Sequence, residues 1–170
     1  MINTERLIIK PHSKKNLMDL FKILGDAETM KFYPKPYTLE ETELVIEKSI
    51  QMYLKDKIGF FAVFLKSNNK LIGNCGITIQ NIDGSDEFEI GYHFNKKYWG
   101  FGYATEAAIA IKKYGFEKLK IKRLFSYMSE NHFASRKVAE RNGMKLEKTY
   151  NNPKNRNLPT TVYSVLNPTN

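Results

Sequence analysis

Residues 86–107 join a strand-like segment, a glycine-rich turn and the start of a helix, and this order restricts the fold more than any other part of the chain. Polar and apolar residues alternate over residues 86–94, which predicts a strand. The apolar face of this strand carries Phe88, Ile90, Tyr92 and Phe94. Gly100 and Gly102 follow, and a run of good helix formers begins at Tyr103. A glycine turn therefore leads directly from a strand into a helix.

A glycine turn at the start of a helix leaves backbone N–H groups unpaired, at the end where the helix dipole favours negative charge. The turn at residues 99–104 is therefore predicted to bind phosphate. Glycine is also common in ordinary turns, so this signal is weak without its context. The polar face of the preceding strand carries Glu87, Glu89, Gly91 and His93. Gly91 within a strand indicates a bulge or a place where another group approaches the backbone closely.

These segments resemble the acetyl-CoA-binding core of the GNAT superfamily of N-acetyltransferases. The pyrophosphate motif of that superfamily is Arg or Gln, two residues, Gly, one residue, then Gly or Ala. It falls on residues 99–104, with Trp99 at the first position. Trp-Gly-x-Gly-Tyr-Ala-Thr-Glu-Ala resembles the RimJ/RimL-like branch, related to ribosomal-protein N-terminal alanine acetyltransferases. The resemblance covers nearly the whole chain, with further similar segments at residues 4–11, 131–144 and 162–166.

The resemblance implies a single GNAT domain over residues 1–170. The implied fold is α/β of the α+β kind, with a mixed, mostly antiparallel, splayed sheet flanked by helices. It also implies acetyl-CoA as cosubstrate, and no metal. The residues expected to contact acetyl-CoA are Phe94, Asn95, Trp99, Gly100, Phe101, Gly102, Tyr103, Ala104, Thr105, Asn131, Ser135 and Lys137. The N–H groups near Phe94 and Asn95 are expected to bind the oxyanion, and Asn131 to meet the pantetheine amides or to cap a helix.

Two steps of the implied reaction require proton transfer. By analogy with the superfamily, Glu89 is the base, acting directly or through water; Glu87 is the second choice, and His93 shares their face. A Glu89 that only stabilises its strand by hydrogen bonds is the open alternative. Most of the superfamily protonates the leaving thiolate with a tyrosine, at a position that is Ala139 here. The branch resemblance suggests Ser135 for this role, with helix capping as its alternative.

The remaining patterns predict most other elements. Strands are predicted near residues 5–10, 59–66, 70–80, 86–95, 122–128, 145–150 and 160–167, and helices near 13–25, 38–55, 103–118 and 132–142. Thr38 and Glu41 form a capping-box pattern. Residues 32–37 contain two prolines and three aromatics, which either line an acceptor pocket or pack under a loop. Residues 151–157 predict a hairpin connection, and the lone Cys75 is interpreted as a buried thiol.

Composition and charge exclude some classes of protein. A chain of 170 residues with 42% hydrophobic content can bury the core of one domain. We find no apolar run that could cross a bilayer and no leader pattern, so we expect a cytoplasmic protein without a membrane partner. Residues 1–94 hold 12 Lys and Arg against 13 Asp and Glu, whereas residues 95–148 hold 13 against 5. The basic part contains the predicted phosphate site, although a solvated lysine-rich surface gives the same count.

The function that the sequence favours is transfer of the acetyl group of acetyl-CoA to a primary amine, by direct attack in a ternary complex. The acceptor stays open between a protein N-terminus, an aminoglycoside, a polyamine and another small amine. Residues 28–60 and 151–160 are expected to determine this choice. A CoA-binding sensor without turnover is an alternative of another class. A nucleic-acid-binding module is the least favoured, because no basic stripe interleaved with aromatics is present. Whether the chain forms a homodimer is also open.

Overall fold

Residues 1–168, which the computed structural model describes, contain one eight-stranded sheet flanked by four α-helices. The strands are β1 (Ile2–Asn3), β2 (Leu7–Pro11), β3 (Gly59–Leu65), β4 (Leu71–Ile82), β5 (Ser85–Phe94), β6 (Arg123–Ser129), β7 (Lys145–Asn152) and β8 (Leu158–Leu166). The helices are α1 (Leu17–Leu24), α2 (Leu39–Asp56), α3 (Tyr103–Glu117) and α4 (Phe133–Arg141). The expected domain of residues 1–170 extends two residues beyond the described part.

The strand order is β1-β2-β3-β4-β5-β6-β8-β7. Neighbouring strands are antiparallel except β5 and β6, which run parallel. The predicted mixed and mostly antiparallel sheet is therefore confirmed. Within residues 1–168, no helix combines the length and hydropathy that a membrane-spanning helix needs.

Element ends differ from the sequence prediction in places. The predicted helix over residues 13–25 begins as a 3₁₀ turn at Lys14–Asn16 and becomes α-helical at Leu17. The two-residue strand β1 was not predicted, because two residues cannot display an alternating pattern. The capping box is confirmed: Thr38 Oγ1 accepts the Glu41 N–H at 3.1 Å, and Glu41 Oε2 accepts the Thr38 N–H at 2.8 Å.

The sheet splays where β5 and β6 meet. These strands are in register at Glu89 and Phe125 and then diverge. Beyond this point, Ser126 Oγ donates to the Ile90 carbonyl at 2.8 Å. A side-chain hydrogen bond thus replaces the backbone hydrogen bond that would continue the pairing of β5 and β6. Helices α3 and α4 follow β5 and β6 in the chain and begin at the diverging ends. The result is a wedge between two strands with two helix N-termini beside it.

The main core lies between the sheet and α3. Its fully buried residues include Ile77, Ile90, Ile111 and Leu124. Cys75 is fully buried in the same core, as interpreted from the sequence, and burial raises the pKa of its thiol. A second core, with Leu20, Leu24, Met30 and Ile46, holds α1 and α2 together. This packing fixes α1, α2 and the loop between them beside β5.

Candidate active site

A cavity of about 320 Å³ lies at the end of β5, between the glycine turn and α4, and we name it the cofactor cavity. Its walls come from the end of β5, the glycine turn, the first turn of α3, and α4. The residues of the expected acetyl-CoA contacts that line it are Phe94, Trp99, Gly100, Gly102, Tyr103, Ala104, Thr105, Ser135 and Lys137. Asn95, Phe101 and Asn131 are not among its lining residues. Phe101 is 59% exposed, and Asn131 is exposed as well.

The glycine turn has the backbone geometry of an anion site. Gly100 and Gly102 have φ angles of 84° and 81°, a region in which a side chain costs free energy. Gly102 is the N-cap of α3, and no side chain caps the amides of the first helical turn. Those amides and the helix dipole together suit a phosphate. Lys137 and Arg141, one turn apart on α4, add positive charge to the lining of the cofactor cavity.

Arg6, in the N-terminal part of the chain, is hydrogen-bonded to the glycine turn. Its Nη1 donates to the Phe101 carbonyl at 2.9 Å, and its Nε donates to Glu106 Oε2 at 2.7 Å. Its guanidinium carbon lies 4.6 Å from the centre of the Tyr103 ring. Thr4 Oγ1 donates to the other carboxylate oxygen of Glu106 at 2.5 Å. The pattern of residues 4–11 predicts only a strand and gives no sign of this contact, because 100 residues separate Arg6 from Glu106.

The last two amides at the end of β5 point in different directions: that of Phe94 points towards the wedge, and that of Asn95 is hydrogen-bonded within the sheet. The Asn95 N–H donates to the Ile72 carbonyl at 3.0 Å, so the geometry does not support the expected oxyanion role of this amide. Asn95 Oδ1 instead accepts the Lys97 N–H at 3.0 Å and caps a short 3₁₀ turn. Because hydrogen bonding alternates along antiparallel strands, the Phe94 amide points the other way, towards β6. Phe94 therefore remains the candidate oxyanion donor.

A second cavity, of about 290 Å³, lies beside the first, and we name it the acceptor cavity. The loop between α1 and α2 contributes Phe32, Tyr33, Pro34 and Tyr37 to its lining, and β3 contributes Phe60. The last residue of β7, Asn152, also lines it, and the segment after β7 contributes Lys154 and Asn155. The loop aromatics thus line a pocket, which was one of the two sequence-based alternatives. The residues that line both cavities are Tyr33, Tyr92, His93, His132 and Ser135.

Glu89 lies in the lining of the acceptor cavity and is only 9% exposed. Burial raises the pKa of its carboxyl to about 7, against the opposing effect of the hydrogen bond that Thr78 Oγ1 donates to Oε2 at 3.2 Å. A Cβ at Gly91 would stand 3.2 Å from Glu89 Oε2 and 3.0 Å from the Phe60 ring. Gly91 therefore makes room for both groups, as its place in the strand indicates. Glu87 lines neither cavity.

His93 lines both cavities but is a weaker candidate base than Glu89. Its Nδ1 lies 2.9 Å from Asn74 Oδ1. Burial lowers the pKa of His93 to about 4, and the nearby His132 adds to this effect. The ring is therefore neutral at pH 7. The centre of the Tyr33 ring lies 5.1 Å from that of the His93 ring, and the Phe60 centre 5.4 Å.

Ser135 is buried and contacts a residue that the sequence analysis did not assign to the site. The Tyr92 hydroxyl donates to the Ser135 carbonyl at 3.0 Å and lies 3.0 Å from Ser135 Oγ. The N-cap of α4 is His132, so neither Ser135 nor Asn131 occupies the capping position. Ala139 is buried and offers no proton donor. The alternating pattern of β5 places Tyr92 on the apolar face, and its hydroxyl is the one sequence signal that indicates a polar role there.

Comparison with known proteins identifies the family. Residues 6–145 match the acetyltransferase (GNAT) domain. The uncharacterized N-acetyltransferase YnaD of Bacillus subtilis is 31% identical over 147 residues, which cover 86% of this chain and 83% of YnaD. A GNAT-family acetyltransferase from Bacillus anthracis is similar with a TM-score of 0.83 and 28% identity, over 98% of both chains.

The structural neighbours also include RimL, a ribosomal L7/L12 α-N-protein acetyltransferase solved in complex with coenzyme A. Its TM-score is 0.79 at 17% identity, over 96% of this chain and 95% of RimL, which shows a shared fold. The cofactor cavity, the glycine turn and these similarities agree with one another. This chain belongs to the GNAT family of acetyltransferases.

Proposed function

We propose that this protein transfers the acetyl group of acetyl-CoA to a primary amine by direct attack in a ternary complex. The observation that carries the proposal is that the cofactor cavity and the acceptor cavity share Tyr92, His93 and Ser135 in their linings. Molecules bound in both cavities would therefore meet without a covalent enzyme intermediate. The glycine turn offers amides to the phosphates of acetyl-CoA, and the CoA complex of RimL supports this assignment.

Glu89 is proposed as the general base. An α-amine with a pKa of about 8 is roughly 10% neutral at pH 7, and a lysine amine only about one in 2,500. A base must therefore remove a proton, and it works best with a pKa near the working pH. The pKa of Glu89 is about 7, whereas that of His93 is about 4, so the carboxylate is the stronger base. The proton moves from the amine nitrogen to Glu89, directly or through water.

The remaining steps use the wedge. The amine nitrogen attacks the thioester carbonyl, and the N–C bond forms. Negative charge develops on the carbonyl oxygen, where the Phe94 amide can donate a hydrogen bond. As the C–S bond breaks, Ser135 Oγ gives its proton to the thiolate and takes one back from solvent, while the acetylated nitrogen releases its extra proton to solvent. The Tyr92 hydroxyl donates to the Ser135 carbonyl, lies 3.0 Å from Ser135 Oγ and so positions this hydroxyl. Solvent can also protonate a thiolate of pKa about 8.5, so we expect a modest contribution from this donor.

The test of the base is the Glu89→Gln variant, which keeps the shape of the side chain but cannot accept the proton. We expect CoA release with acetyl-CoA and a primary amine to fall about 100-fold at pH 7. The loss should shrink at pH 9.5, where much more of the amine is already neutral. Glu87→Gln is the matched control, since Glu87 lies outside both cavities and should be close to wild type.

Two outcomes would contradict this proposal. An equal loss at both pH values, in a stable Glu89→Gln protein, would assign Glu89 to structure. Acetyl-CoA binding by the wild-type protein without CoA release for any amine would indicate the sensor function instead.

A further inference from the structure

We infer that the acceptor is a small arylalkylamine, in which the ammonium group is the single charge and the ring carries a hydrogen-bond donor. The inference rests on the proposed function and names its substrate class. Four properties of the acceptor cavity carry it: its charge, its aromatic walls, its size and one buried acceptor atom.

The charge of the cavity suits one ammonium group. Glu89 is the one carboxylate among the lining residues that the structure describes. Lys154 is the lining lysine, and its Nζ donates to the Asn81 carbonyl at 3.4 Å. A polyamine or an aminoglycoside would place further ammonium groups against walls that hold no second carboxylate. Unpaired charges are costly to bury, so these classes are disfavoured.

The walls suit a planar ring. Aromatic side chains reach the cavity from three different elements: Phe32, Tyr33 and Tyr37 from the loop, Phe60 from β3, and Tyr127 from β6. Burial, with the Glu89 charge as a lesser cause, raises the pKa values of Tyr33 and Tyr127, so both phenols stay neutral. Aromatic faces attract both planar rings and cations. The walls therefore match both parts of an arylalkylamine.

The size and closure of the cavity suit a small molecule. Its volume of about 290 Å³ is just below the usual range for ligand pockets, about 300 to 1,000 Å³. Asn155 Nδ2 donates to the Phe32 carbonyl at 3.1 Å, which joins the segment after β7 to the loop between α1 and α2. A protein N-terminus needs an open path for the chain that follows it. The joined segments restrict that path.

One polar atom of the lining lacks a partner. The Oδ1 atom of the half-buried Asn155 is closed off from solvent and has no hydrogen-bond partner within residues 1–168, so a ligand donor reaches it only when the Asn155 side chain rotates towards the cavity. An unsatisfied buried acceptor costs free energy, which a ligand donor can recover. A ring hydroxyl or a ring N–H would supply that donor, and for this reason the inferred ring carries one.

The experiment measures kcat/KM from CoA release by the wild-type enzyme with five amines: tyramine, phenethylamine, spermidine, kanamycin and a peptide with an N-terminal alanine. We expect tyramine to be the best of the five and to exceed phenethylamine, which lacks the ring donor, by about tenfold. A higher kcat/KM for spermidine, kanamycin or the peptide than for tyramine would overturn the inference.

A binding measurement separates this inference from the proposed function. Calorimetry first tests acetyl-CoA and CoA alone, then tyramine added to the CoA-saturated enzyme. If CoA binds but tyramine does not bind to the CoA-saturated enzyme, the inferred substrate class is wrong. If acetyl-CoA itself does not bind, the proposed function is wrong. Phe60→Leu should raise the KM for tyramine about threefold to tenfold and leave the KM for acetyl-CoA unchanged. Phe88→Leu, on the same sheet but outside both cavities, is the control and should change neither.

Discussion

At the scale of single residues, Glu89 links the activity of the site to the stability of the fold. Its pKa rises from an ordinary 4.5 to about 7 in the folded protein because it is buried. Between these two values the folded state holds a proton that the unfolded state has lost. The contribution of Glu89 to the free energy of unfolding therefore falls by about 3 kcal/mol as pH rises from about 4.5 to about 7. Three histidines, His12, His93 and His132, contribute in the opposite direction, because burial lowers the pKa of each to about 4.

Removal of the carboxyl should remove the contribution of Glu89 and leave that of the histidines in place. For each protein we compare the free energy of unfolding at pH 4 with that at pH 8. We expect the change from pH 4 to pH 8 to be about 3 kcal/mol more favourable to the folded state in Glu89→Gln than in wild type. Urea unfolding at both pH values measures the difference. Glu87→Gln provides the control, since Glu87 lies outside both cavities. A wild-type protein and a Glu89→Gln variant with the same pH dependence would show that burial does not raise the pKa of this carboxyl.

A second prediction at this scale concerns Ser135. A proton donor to the leaving thiolate acts only as the C–S bond breaks, so Ser135→Ala should lower turnover about tenfold and leave acetyl-CoA affinity nearly unchanged. Tyr92→Phe removes the hydroxyl 3.0 Å from Ser135 Oγ and should lower turnover to a similar extent. Kinetics and calorimetry of both variants check this. Weakened affinity with normal turnover of the bound complex would make Ser135 a cofactor contact only.

At the scale of elements, the junction between β5 and α3 acts through its backbone rather than through its side chains. Its conformation requires glycine, and its unpaired amides are those of the first turn of α3. A hydrogen bond from Arg6 to the Phe101 carbonyl connects it to the N-terminal part of the chain. Gly102 has a φ of 81°, and a Cβ there would meet only Arg6 Nη2, at 3.5 Å. The need for glycine is therefore conformational rather than steric.

Gly84 offers a matched control for this junction. It has a φ of 90° in the turn between β4 and β5, with nothing within 4 Å of an added Cβ. Gly102→Val and Gly84→Val should therefore suffer similar backbone strain, measured as similar losses of thermal stability. We expect only Gly102→Val to lose acetyl-CoA affinity, by at least about tenfold, in calorimetry at a temperature where both variants are folded. Unchanged affinity in folded Gly102→Val would remove the turn from the binding site.

At the scale of the whole molecule, the wedge separates two chain regions of different charge. Residues 1–94 form β1 to β5 and are nearly neutral, whereas residues 95–148 contain α3, β6 and α4 and hold 13 Lys and Arg against 5 Asp and Glu. The cofactor cavity lies where these regions meet, with Lys137 and Arg141 in its lining. A basic surface at the cavity attracts an anionic cosubstrate, an effect that salt weakens.

The local features follow from the amino-acid pattern alone: β5, the glycine turn, α3, the capping box at Thr38 and the need for a small residue at position 91. Each depends on residues close in sequence, through periodicity, capping or backbone conformation. Which groups come into contact depends on how the elements pack. The hydroxyl groups of Tyr92 and Ser135 are in hydrogen-bond contact although 43 residues separate them, and Arg6 binds Glu106 at a separation of 100 residues. The Asn95 N–H donates to the Ile72 carbonyl. A periodic pattern specifies the face on which a side chain lies, but only the packing of the sheet specifies its partner.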